Sequence, residues 1–170
     1  MKKHSGMRPQ DIVILLKIAI KRDQSWTMKD LSRELEISAS EVSESLNRSF
    51  IAGLLFQNKK QVMRQALMDF LQYGLRYVYP QQPGALVRGV PTAHAAPPLS
   101  DHIVGETLYV WPHHEGSQRG QAIEPLYPSV PVACMQDDAF YEVMALADAL
   151  RVGRARERNI AVEELKKRIC

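Results

Sequence analysis

The stretch from Thr27 to Leu55 constrains the fold most, because it carries the pattern of two short amphipathic helices joined by a tight turn. Apolar residues recur four positions apart in each half, a spacing that places them on one face of a helix. These residues are Leu31 and Leu35 in the first half, and Val42 and Leu46 in the second. Thr27 precedes the first half and Ser38 or Ser40 the second, where a hydroxyl oxygen can accept a hydrogen bond from a free amide. Ile37 lies in the connection, and we expect it to fill the angle between the helices.

The sequence LSRELEISASEVSESL, followed by AGLL at Ala52 to Leu55, resembles the winged helix-turn-helix of the MarR- and ArsR-like bacterial regulators. The resemblance covers about 50 of the 170 residues and implies a winged helix-turn-helix domain over residues 8–90. Two positions depart from the family pattern: Glu36 stands where glycine is usual in the turn, and Ser45 where an apolar residue is more usual. The resemblance also implies that the second helix, about residues 40–50, enters the major groove of DNA.

The outward residues of that helix supply the predicted contacts with DNA. Serine and asparagine side chains can bond to base edges, and Arg48 can contact guanine or a phosphate. Glu41 and Glu44 oppose this assignment, because carboxylates repel phosphates. The residues assigned to DNA contact are Ser38, Ser40, Ser43, Asn47, Arg48, Lys59, Lys60, Arg76 and Arg88.

A displaced wing is predicted after this helix. Family members have a strand-turn-strand wing at once, whereas residues 57–60 here pass quickly into a pattern that predicts a helix over residues 61–73. Gly74 suits the C-terminal end of that helix. Alternating bulky residues from Leu75 to Tyr79, and again over residues 85–90, predict a β-hairpin around a turn at residues 81–84. The hairpin presents Arg76 and Arg88 to the DNA backbone in one interpretation, and packs away from DNA in the equal alternative.

The net charge of +3 conceals an uneven distribution along the chain. Residues 1–80 carry a balance of +5, residues 81–150 a balance of −6, and residues 151–170 a balance of +4. Basic ends around an acidic middle fit a nucleic-acid-binding protein, but solvated basic helices would give the same pattern. No apolar run approaches the roughly 20 residues that span a bilayer. With only two cysteines, the chain is expected to be cytoplasmic and without a disulfide framework.

Two further regions follow the predicted domain. Nine of the ten prolines lie from Pro80 to Pro131, which excludes long helices there. We expect residues 91–136 to form an ordered, extended arm, with burial of apolar residues such as Val104 and Trp111. Residues 137–170 predict two helices that provide dimerisation or partner contacts, the first capped by Asp137 or Asp138. Their arginines, assigned to contact with phosphates or a partner, are Arg151, Arg154, Arg156 and Arg158. Internal ion pairs with the acidic middle segment are the competing explanation.

The sequence contains no strong motif for a catalytic site or a metal-binding site. The five histidines lack the short spacings of strong metal motifs, and we expect them in exposed loops. Ser100, Asp101 and His102 are adjacent, which is the wrong arrangement for a catalytic triad assembled from distant segments. We therefore assign no catalytic residue, metal site or cofactor.

The predicted fold is mainly α with a small β-hairpin: a winged helix-turn-helix, an irregular proline-rich arm and two C-terminal helices. The predicted function is a sequence-specific DNA-binding transcriptional regulator, acting as a repressor and a homodimer on double-stranded DNA. The alternative is a protein-interaction module, such as an antitoxin or a regulator of a neighbouring enzyme. A third hypothesis is a repressor that binds an effector between the middle segment and the C-terminal helices. No membrane association is expected.

Overall fold

A computed structural model of the chain describes residues 6–105 and 107–170. Within these residues, eight helices and a small three-stranded sheet form a mixed α/β fold. The helices are α1 (Pro9–Lys21), α2 (Met28–Leu35), α3 (Ala39–Ile51), α4 (Arg64–Tyr73), α5 (Leu75–Val78), α6 (Val130–Met135), α7 (Asp138–Val152) and α8 (Ala155–Ile169). The strands are β1 (Leu86–Thr92), β2 (Tyr109–Pro112) and β3 (Gln118–Ala122). None of the helices in the described residues is long and apolar enough to cross a bilayer.

Helices α1, α2 and α3 pack on one another, and the predicted caps of the latter two are confirmed. Thr27 Oγ1 accepts a hydrogen bond from the amide of Asp30 at 3.1 Å, and Ser38 Oγ accepts one from the amide of Glu41 at 3.2 Å. Ile37 is 1% exposed, as expected for the residue between the two helices. Glu36 has φ 52° and ψ 45°, a left-handed conformation that favours glycine. Glu36 adopts this conformation although it carries a Cβ atom.

A short hairpin follows α3 directly. Leu55 and Val62 form an isolated antiparallel bridge, and the amide of Phe56 donates to the carbonyl oxygen of Gln61 at 2.9 Å. The predicted helix over residues 61–73 accordingly starts later, with α4 at Arg64. A hairpin thus lies immediately after α3, where the sequence did not predict one.

The prediction of a strand from Leu75 to Tyr79 is wrong, because these residues form the helical turn α5. In a strand, residues 75 and 77 would face the same side. Leu75 is instead 0% exposed and Tyr77 is 68% exposed. The bulky residues of this segment are compatible with a strand and with a helical turn. The helical turn buries Leu75, and α5 packs against α7. Since α5 is not a strand, the predicted hairpin of residues 75–90 does not form.

The predicted return strand exists as β1, but its partners come from the proline-rich middle of the chain. It pairs antiparallel with both β2 and β3, which pair parallel with each other, so the sheet closes on itself. Gly89 permits this closure, because a Cβ atom there would lie 2.0 Å from the carbonyl oxygen of Trp111. Trp111 is 0% exposed as expected, whereas the predicted burial of Val104 is wrong, since its side chain is fully exposed.

The two predicted C-terminal helices are confirmed as α7 and α8, and the side chain of Asp137 caps α7 by accepting from the amide of Phe140. Every residue of α7 from Val143 to Leu150 is buried. This helix contacts α1, α5, α6, α8 and β1. It is therefore the central helix of the core, formed within the same chain.

Candidate functional site

An open cleft of about 480 Å³ lies between α3, the start of α2 and the turn of the 54–63 hairpin. Its lining is mostly polar side chains with two basic residues. The lining residues are Met28, Ser43, Glu44, Leu46, Asn47, Asn58, Lys59 and Lys60. The structure thus brings four of the predicted DNA-contacting residues, Ser43, Asn47, Lys59 and Lys60, to one place.

The exposed side of α3 forms the wall of this cleft. Ser40, Ser43 and Asn47 recur at intervals of three and four residues, which places them on one face. Ser40 and Ser43 are exposed, and Asn47 is half-buried. Ser38 also lies at the surface, but its hydroxyl oxygen is already used as the cap of α3. Serine hydroxyls and an asparagine amide on one exposed helix face are groups that can both donate to and accept from base edges.

The hairpin turn holds the two lysines against the cleft. Asn58 Oδ1 accepts from the amide of Lys60 at 2.9 Å, which fixes the turn, and Lys59 adopts a left-handed φ of 56°. Lys59 Nζ donates to Asn47 Oδ1 at 3.3 Å, linking the turn to α3. Lys60 Nζ lies 4.1 Å from the Trp26 ring centroid and donates to the Trp26 carbonyl oxygen. Both amines are therefore positioned before any ligand arrives.

Arg48 does not line the cleft, and the prediction that it faces outward is wrong. Its side chain is 7% exposed and forms a buried ion pair with Asp11 of α1, which is 0% exposed. Arg48 Nε lies 2.9 Å from Asp11 Oδ2, and Nη2 lies 2.7 Å from Asp11 Oδ1, which makes the pair bidentate. The hydrogen bonds with Asp11 hold the pKa of Arg48 above its ordinary value despite burial. Arg48 therefore attaches α3 to α1.

Glu41 belongs to the same internal network. Its carboxylate accepts from Arg48 Nη2 and from Gln10 Nε2. Partial burial raises the pKa of Glu41, but the hydrogen bonds from Arg48 and Gln10 and the nearby positive charges together lower it by more, so the net shift is downward. Glu41 is thus paired internally, and Glu44, the second acidic residue that opposed DNA binding, is among the residues that line the cleft.

Arg76 and Arg88 lie apart from this cleft on different elements. Arg76 lies in α5, with its guanidinium 4.7 Å from the Tyr77 ring centroid. Arg88 is an exposed residue of β1, aligned with Arg119 of β3. The hairpin that was predicted to carry both arginines does not form, so the structure does not join them in one wing.

The four C-terminal arginines divide between internal and exposed positions. Arg151 is internal: its side chain bonds to Asp148 at 2.9 Å and to the carbonyl oxygen of Tyr79 at 3.0 Å. Arg158 is half-buried and donates to the carbonyl oxygen of Gly153. Arg154 and Arg156 are exposed. Arg151 therefore forms an internal ion pair, as the competing explanation expected. Its carboxylate partner, Asp148, comes from its own helix.

Two carboxylates in apolar helices are structural residues that the sequence interpretation missed. Asp11 is buried in α1, and Asp148 in α7 accepts from Trp111 Nε1 at 2.6 Å and from Thr92 Oγ1 at 2.8 Å. The signal was available, because an acidic residue within an apolar helical run requires a buried partner. The identity of each partner could not be predicted, because both partners are distant in sequence. Arg48 lies 37 residues from Asp11, and Trp111 lies 37 residues from Asp148.

The histidines do not form a metal site within the described residues. No group of three His, Cys, Asp or Glu side chains there could hold an ion. His94 is 6% exposed, so its expected place in an exposed loop is wrong. Its Nε2 lies 2.8 Å from the carbonyl oxygen of Thr107, and its ring packs edge-on against Tyr109. His4 lies outside the described residues.

A second polar cleft, of about 450 Å³, lies between the sheet and the start of α8. His94, Tyr109, Gln121, Arg154 and Glu157 are among its lining residues. Glu157 accepts a hydrogen bond from the amide of Arg154 at 2.5 Å, so the carboxylate already takes the place an anion would occupy at this helix start. The cleft has no feature that identifies a ligand.

Comparison of the chain with protein-family models, with curated proteins and with solved structures found no match.

Proposed function

We propose that this chain is a sequence-specific DNA-binding transcriptional regulator whose contact surface is the cleft between α3 and the 57–60 turn. The observation that carries the proposal is the convergence of Ser43 and Asn47 with Lys59 and Lys60 along this one cleft. Phosphate contacts position a protein on DNA, and contacts to base edges give sequence preference. The cleft offers both kinds of group side by side.

The order of elements supports the same proposal. Helices α1 to α3 are followed at once by a short hairpin, which is the order of a winged helix-turn-helix. In that interpretation α3 is the recognition helix, the 54–63 hairpin is a minimal wing, and Lys59 and Lys60 lie at its tip. Arg48 and Arg76 no longer belong to the proposed contact set, because Arg48 is buried and Arg76 lies on α5.

The second candidate function is a protein-docking module, and Glu44 is the observation that favours it. Glu44 lines the same cleft as the two lysines. A carboxylate there repels phosphates but would suit a basic segment of a partner protein. Glu41 no longer adds to this argument, since it is paired with Arg48.

A fluorescence-anisotropy titration tests the first candidate. The full chain is titrated with the DNA upstream of its own gene and with random duplex of equal length, at several salt concentrations. We expect tighter binding to the upstream DNA and an affinity that falls steeply with salt, since phosphate contacts release counterions. Equal, salt-independent or absent binding to both DNAs would overturn the proposal and direct attention to the docking function.

The lysines allow a sharper version of this test. Lys59→Ala and Lys60→Ala should each weaken binding to both DNAs and reduce the salt slope by about 1. Lys166→Ala is the matched control, because Lys166 is an exposed lysine of α8 remote in sequence from the cleft. If Lys166→Ala had the same effect, the basic residues would act only through net charge.

A further inference from the structure

An exposed aromatic face lies on α4 and α5, outside the cleft. Tyr73 and Tyr77 are each 68% exposed, and Val78 is 52% exposed. The tyrosines are four residues apart, and Gly74 between them keeps φ −120° and ψ −34°, close to the right-handed helical region. Both side chains are therefore exposed on neighbouring turns, Tyr73 at the end of α4 and Tyr77 in α5. We name Tyr73, Tyr77 and Val78 the tyrosine face.

Exposure of this kind requires an explanation, because aromatic side chains gain most from burial. The long helices α1 and α7 provide no comparable apolar surface. In α1 every residue from Asp11 to Ala19 is buried, and α7 is buried within its own chain. The tyrosine face is available, since no element of the described chain covers it.

The charged residues of α4 and α5 indicate what covers the tyrosine face. Asp69 lies one turn before Tyr73, and Arg76 lies beside Tyr77, with its guanidinium over that ring. Asp69 accepts from Gln65 Nε2 at 2.9 Å, and within the described residues neither Asp69 nor Arg76 has an ion-pair partner. These residues form a stripe along α4 and α5, with the negative Asp69 at one end, the tyrosines in the middle and the positive Arg76 at the other end.

We propose that the tyrosine face is the surface through which two copies of this chain associate, antiparallel about a two-fold axis near Tyr73. A rise of 1.5 Å per residue places Asp69 about 6 Å before Tyr73 along α4, and Tyr77 follows Tyr73 by four residues, in α5. Antiparallel pairing then brings the Asp69 of one copy to the Arg76 and Tyr77 of the other, twice. A stripe with opposite charges at its ends is self-complementary in this way, as a two-fold interface requires.

The size of the face predicts a weak dimer. A stable interface buries about 800 Å² per partner, more than three side chains supply. Association should therefore depend on protein concentration and be strengthened when both copies bind one palindromic DNA site. The inference rests on the proposed function only in this last step, since self-association needs no DNA.

Sedimentation velocity without DNA tests the interface. We expect the sedimentation coefficient of the full chain to rise with concentration, and Tyr77→Glu to abolish that rise while the variant stays folded by circular dichroism. Leu86→Glu is the matched control, because Leu86 is an exposed apolar residue of β1 that is 56% exposed. A chain that remains monomeric at every concentration, or an equal loss in both variants, would overturn the proposal.

A charge exchange tests the antiparallel arrangement. Asp69→Arg and Arg76→Asp should each weaken association several-fold through like-charge contact, and the double variant should restore it. A double variant that is weaker than either single one would exclude the pairing. Cysteine at position 73 gives an independent test: in a Cys170→Ser background, Tyr73→Cys should form a disulfide-linked dimer on oxidation, and a monomeric product would contradict the axis near Tyr73.

These outcomes are separable from those of the proposed function. Self-association through the tyrosine face without any DNA binding would retain the interface and remove the regulator. Monomeric binding to DNA that is unaffected by Tyr77→Glu would retain the regulator and remove the interface.

Discussion

The two sides of α3 differ in chemistry although they belong to one helix of 13 residues. On the side toward α1, Arg48 is held by a buried carboxylate and contributes to packing. On the other side, Ser43 and Asn47 face an open cleft with two lysines. Asn47 and Arg48 are consecutive, but one residue corresponds to a rotation of about 100° around the helix.

The comparison shows that a basic residue in a predicted contact helix is not by itself a contact residue. The sequence interpretation assigned Arg48 to DNA contact, but its guanidinium is paired with the buried carboxylate of Asp11. The amines that remain at the surface belong to the hairpin, where the cleft places them next to α3.

Arg48→Ala should unfold or strongly destabilise the chain. It leaves the Asp11 carboxylate buried without its partner, a change that costs about 3–5 kcal/mol of the free energy of unfolding. Urea denaturation measures this loss. Arg33→Ala is the control, because Arg33 is 72% exposed on α2, and its expected change is within about 0.5 kcal/mol. A stable Arg48→Ala variant that had lost only DNA binding would place Arg48 in the DNA groove and not in the core.

Asn47→Ala should reduce the preference for the upstream DNA over random duplex by about 1–3 kcal/mol, the range for loss of one base contact. Paired anisotropy titrations measure the preference, with Asn159→Ala on α8 as the control. An equal loss of affinity for both DNAs would instead indicate that Asn47 only supports Lys59, to which it is hydrogen-bonded.

Glu41→Gln should flatten the acid side of the stability profile. The folded chain lowers the pKa of Glu41, so its charge stabilises the fold above the ordinary glutamate pKa of about 4.3. That contribution is lost as the pH falls through the lower pKa of the folded state. Urea denaturation from neutral pH to below pH ~4 should show a smaller decrease for the variant than for the parent chain. Parallel profiles would show that Glu41 is not held by Arg48 in solution.

Glu44→Gln should have the smallest effect and the opposite sign. Removing a carboxylate from the cleft removes its repulsion of phosphates, worth about 1 kcal/mol or less near a hydrated surface. DNA binding should therefore strengthen slightly, whereas Glu163→Gln on α8 should leave it unchanged. Weaker DNA binding by Glu44→Gln would assign Glu44 a direct contact with a base amino group.

The sequence predicts those features of the structure that depend on residues close together in the chain. Thr27, Ser38 and Asp137 each cap a helix through an amide three residues ahead, so their roles were readable from spacing. The strands pair across much longer separations: Gly89 lies opposite Pro112 in β2 and Gln118 in β3. No local pattern in the proline-rich segment indicates which strands pair. For this reason the predicted hairpin, which paired β1 with residues 75–79, was wrong.

The candidate site was predictable to a similar degree. Ser43 and Asn47 followed from helical periodicity, and Lys59 and Lys60 from their place after α3. The exposure of each side chain depended on distant partners, because Arg48 is buried by Asp11 and Lys60 is held by Trp26.

The helices α2, α3, α7 and α8 could therefore be predicted from the sequence, since caps and apolar periodicity act within a few residues. Which charges are buried, where the sheet closes and which side of α3 stays open depend on how the helices and strands pack in the folded chain. The physical reason is that burial and pairing depend on groups tens of residues apart, and a buried charge such as that of Asp11 selects its partner when the helices pack.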